Sequence, residues 1–233
     1  MNIIPQDLNI QNKELLSKLE KIYDIHFQQK NIDYCEVFSQ NNKSIIYYNP
    51  TKVDDESIAH ELLHIWLNTF NYVSGNSIYL PCLDHPKLKK IFVKFLCDHI
   101  GNCIDHYKMY PEYIRMGYSP EKFIINALDK KSDLVEMFNL SLKVGDFYYS
   151  KAIEIYIGNL ISIYADHIEN DYSEHLIILK AKDENLFNIV TKFWVSWKNF
   201  DITNIDAIYN SDIELMSNFI DNMEDWISDK NII

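Results

Sequence analysis

Residues 57–67 read Ser-Ile-Ala-His-Glu-Leu-Leu-His-Ile-Trp-Leu, and every position outside His60, Glu61 and His64 is uncharged. On an α-helix, His60 and His64 stand one turn apart and can share one metal ion. Glu61 projects about 100° round from His60, where its carboxylate can lean over a water held at that metal. The segment also has an inward side, on which Ile58, Leu62, Ile65 and Trp66 are expected to pack. The competing interpretation is a core helix whose two histidines are bonded to neighbours.

Such a helix needs a core around it. A chain of 233 residues, 47% hydrophobic, can bury one as a single domain or as a domain with a helical extension. Five glycines, with no Gly-x-Gly-x-x-Gly or Walker-type loop, disfavour a nucleotide-binding fold. The 16 tyrosines suit a well-packed helical protein with an aromatic-lined cleft. A net charge of −12 repels phosphate backbones, so no nucleic acid partner is expected, and it fits either a soluble protein or a preference for basic or neutral substrates.

Met-Asn-Ile-Ile-Pro-Gln-Asp has neither a basic start nor an apolar stretch of leader length, and no run of 18 apolar residues follows. The expectation is a cytoplasmic protein with no membrane partner. Cys35, Cys82, Cys97 and Cys103 lack Cys-x-x-Cys spacing, which argues against a thiolate metal site and for reduced, buried thiols.

Along the chain, residues 12–30 carry a helical stripe through Leu15, Leu16, Leu19, Ile22, Tyr23 and Ile25 or His26. Tyr34–Phe38 and Ser44–Tyr48 read as a hairpin across a polar turn, ended by Asn49-Pro50. Asp54 or Asp55 then caps the histidine helix. A long helix is expected over 86–110, ended by Met109-Tyr-Pro111. Further helices are expected over 120–140, 147–169, 173–198 and 211–229.

The order helix, hairpin, His-Glu-x-x-His helix resembles the zincin superfamily of zinc metallopeptidases over roughly residues 12–118. The resemblance implies a Zn²⁺ cofactor, His60 and His64 as ligands, Glu61 as general base on the zinc-bound water, and a peptide or protein substrate. It also implies a third ligand from a later helix, since the extended motif is absent: Leu67 and Phe70 stand at its next positions.

The candidates for that ligand lie between Cys97 and Pro111. His99 and His106 flank the apolar stripe of Val93, Leu96, Ile100, Cys103, Ile104 and Tyr107, while Asp98, Asn102 and Asp105 face away from it. His106 ranks first, with Asn102 one turn earlier as a residue that can orient it. Asp105 is the carboxylate alternative, and Asp98 ranks third. His26, His85, His167 and His175 read as structural or surface residues. Tyr110, Tyr113 and Tyr118 are candidate hydrogen-bond donors to a reaction oxyanion, with plain packing as the competing role.

The expected fold is α+β, predominantly α. A zincin-like part with a small sheet, residues 1–118, precedes a helical part, residues 119–233, with one continuous domain as the alternative. The expected function is zinc-dependent peptide hydrolysis; the alternative is a non-catalytic interaction protein keeping the same fold.

Overall fold

Asn9 opens the first helix, its side-chain oxygen accepting the Asn12 backbone N–H at 2.9 Å. The computed structural model describes residues 8–70, 75–168, 170–203 and 205–233, with the side chains of 205–211 outside the description. In chain order come α1 (Ile10–Leu19), β1 (Asp24–Gln29), β2 (Glu36–Gln40), β3 (Lys43–Tyr48), α2 (Asp55–Asn68), α3 (Asn76–Cys82), α4 (Leu88–Ile91) and α5 (Lys94–Arg115). A 3-10 turn at Pro120–Lys122 leads to α6 (Leu134–Asn139), β4 (Lys143–Val144), β5 (Phe147–Tyr148), α7 (Ser150–Ala165), α8 (Ser173–Lys182), α9 (Glu184–Asn199), α10 (Ile205–Ile227) and β6 (Asn231–Ile232). The fold is α+β and predominantly α, as the patterning predicts. Its two compact units are residues 1–71 with 108–128, and residues 72–107 with 129–233.

In the first unit the expected 12–30 helix stops at Leu19, and 24–29 is a strand. Tyr23, Ile25 and Phe27 are buried with exposed or half-exposed residues between them, a period of two. Tyr23 and Ile25 fit a helical stripe equally well, which is why periodicity alone misassigns them. β1 pairs in parallel with β3, and β3 pairs antiparallel with β2, giving the order β1-β3-β2. The hairpin of β2 and β3 is present. Asn41 takes the left-handed φ of 53° that its turn requires, a conformation asparagine tolerates better than most residues.

Asp54 caps α2 by accepting the Ser57 N–H at 2.9 Å, and Asp55 and Glu56 meet the positive end of the helix dipole. Ile58, Leu62, Leu63 and Ile65 are at most 1% exposed. Trp66 departs from expectation: it is half-buried, edge-on against Phe70 at 4.9 Å. The start of α2 is fixed from outside as well. Asp55 accepts from the Asn9 N–H at 2.9 Å, the fully buried Asn12 donates to the Asp55 carbonyl at 2.8 Å, and the Tyr118 hydroxyl donates to Asn12 at 2.9 Å.

The second unit packs around α7, whose Ile153, Tyr156, Ile157, Leu160 and Ile161 are 0% exposed. Trp197 of α9 donates its indole N–H to the Ile104 carbonyl at 3.1 Å. A small sheet runs β4-β5-β6. The expected 86–110 helix is two helices, because Phe92 leaves helical geometry at ψ 60°. α5 then passes through Pro111 to Arg115, although proline can donate no helical hydrogen bond.

Residues 120–140 hold only the 3-10 turn and α6, with Asn126 at φ 55° between them. Residues 173–198 divide at Asp183, whose extended backbone ends α8 and whose carboxylate caps α9 through Leu186 N–H at 2.8 Å. α7 and α10 are the expected 147–169 and 211–229 helices with shifted ends, α10 starting earlier at Ile205, and α3 has no counterpart in the sequence expectation. Cys35, Cys82 and Cys97 are buried free thiols, while Cys103 is half-buried. Among the described residues no helix is long and apolar enough to cross a membrane.

Candidate metal centre

The four-residue spacing on α2 places the rings of His60 and His64 one above the other, 5.0 Å apart between centroids and tilted by 68°. His106 of α5 joins them. One ring nitrogen from each of the three lies within 4.8 Å of the others, inside the reach of a single ion. Among the described residues no other set of three His, Cys, Asp or Glu side chains meets that spacing. The donors are all imidazole nitrogens, the chemistry that borderline transition-metal ions accept.

The remaining candidates fall outside this group. Asp105 is half-buried and is not one of the three donors. Asp98 is exposed and pairs with Lys94 one turn away. Asn102 is exposed. His99 bonds Ser162 Oγ at 2.8 Å through Nε2, and burial holds its pKa below the ordinary value. His26 pairs with Asp24 at 3.0 Å, and His85 Nδ1 accepts the Leu88 N–H at 3.0 Å to start α4. Burial pushes His167 down to about 4, and His175 meets the Ser132 carbonyl at 3.1 Å.

Glu61 is 8% exposed, and burial pushes its carboxyl up to about 7. Two neighbours oppose that shift by favouring the charged form: His64 and the backbone N–H of Val37. Strand pairing explains the second. Gln40 and Lys43 close the two-residue hairpin turn, and alternate residues of an antiparallel pair turn their N–H away from the partner strand. Val37, three residues before Gln40, is one of these. Its N–H leaves the free edge of β2, from which it favours the charged Glu61 carboxylate. Cys35 lies close enough for Glu61 and Asp54 to reinforce its burial, and its thiol is pushed up to about 12. It therefore stays protonated and is a poor metal ligand.

An aromatic wall backs His60. The Phe123 ring lies 5.1 Å from His60, 5.2 Å from Tyr110 and 4.9 Å from Tyr113. Of the three candidate phenols, Tyr118 is committed to Asn9 and Asn12. Tyr113 is 0% exposed, and its hydroxyl has no hydrogen-bond partner. Burial raises both phenols above the ordinary value. Two contributors escape sequence reasoning. Phe123 falls in the expected 120–140 helix but follows the 3-10 turn outside any α-helix, so a helical pattern could not place its ring, and the outward direction of the Val37 N–H becomes visible only once the hairpin register is known.

No protein-family model, curated protein or solved structure matches the chain.

Proposed function

We propose that the protein is a zinc-dependent hydrolase of peptide bonds, with His60, His64 and His106 holding the ion and Glu61 acting as general base. The observation that carries this reading is the approach of His106 to within 4.8 Å of the His60 and His64 donors, with the buried Glu61 on the same helix as those two. A purely structural site has no need of a carboxylate between its histidines. Imidazole nitrogens suit zinc, and only neutral histidines bind it.

When bound, zinc acts as a Lewis acid that polarises a carbonyl and lowers the pKa of water to about 7. The chain's own residues do the rest. Glu61 accepts the proton of the attacking water and passes it to the leaving amine. The Val37 N–H favours the charged form of the carboxylate, the form that acts as base. The aromatic wall of Phe123, Tyr110 and Tyr113 supports the His60 ring. A net charge of −12 favours basic or neutral peptides.

A peptide library profiled by mass spectrometry tests the reading. Zinc-loaded protein is expected to cleave a subset of peptides, and Glu61→Gln to keep its zinc while losing turnover by at least about a hundredfold. Turnover retained by zinc-loaded Glu61→Gln contradicts the assignment of the base.

A further inference from the structure

We draw no further inference here: the strongest candidate, the outward face of the three-stranded sheet, where Phe38 stands 57% exposed beside its cross-strand neighbour Ile45, is an apolar surface for which nothing in the structure shows what covers it.

Discussion

The backbone N–H of Val37, on the free edge of the small sheet, favours the charged form of Glu61, the residue between the paired histidines of α2. The sheet thereby acts on the candidate metal centre. The hairpin turn sets the register, and the register turns the Val37 N–H outward from β3.

Glu61 makes the stability of the metal-free protein depend on pH. Its folded pKa of about 7 lies above the ordinary 4.5, so the folded state binds more protons between those values, and stability falls as pH rises through that window. Ionising the buried carboxyl costs on the order of 3 kcal/mol once pH exceeds both values. Denaturant titration of metal-free wild type at pH 5 and pH 8 should show this loss, and Glu61→Gln should abolish most of it. Equal pH dependence in the two proteins contradicts the buried-acid account.

Tyr113→Phe is expected to stabilise the metal-free protein by about 1 kcal/mol. The substitution removes a fully buried hydroxyl that has no partner while keeping the ring against Phe123. The midpoint of urea unfolding measures it. A loss of similar size would mean the hydroxyl is bonded in the folded protein.

Gly75→Ala is expected to destabilise the second unit by about 2 kcal/mol. A Cβ at this position would sit 2.2 Å from the Cys97 carbonyl oxygen and 3.3 Å from Gly101 Cα, and backbone atoms cannot swing aside as a flexible side chain can. Thermal unfolding followed through tryptophan fluorescence reads the change, since Trp194, Trp197 and Trp226 all belong to that unit. A variant as stable as wild type contradicts the close approach.

Some of this architecture is legible in the residues alone. The start of α2 is written in Asp54, Asp55 and Glu56, because a capping carboxylate and acids in the first turn have one local meaning. The hairpin is legible from two β-like runs around a polar turn. β1 is not, because Tyr23 and Ile25 satisfy both a helical and a strand period over so short a run. The break at Phe92 and the passage of α5 through Pro111 run against local preference.

At the site, His106 borders the apolar stripe of its helix as His99 does, so the stripe separates these two from Asp98 and Asn102, which point to solvent, but does not choose between them. The influence of Val37 on Glu61 and the Phe123–His60 contact depend on pairing and packing between segments distant in sequence, and no local pattern encodes them.

The metal content of purified protein by elemental mass spectrometry tests the central claim most directly, with wild type measured beside His64→Ala, His106→Ala, Asp105→Ala and Glu61→Gln. The account predicts about one zinc per chain in wild type, Asp105→Ala and Glu61→Gln, and its loss in both histidine variants. Zinc retained in His106→Ala and lost in Asp105→Ala would contradict the three-histidine site. Absence of zinc from wild type, even after reconstitution, would contradict the metal centre itself.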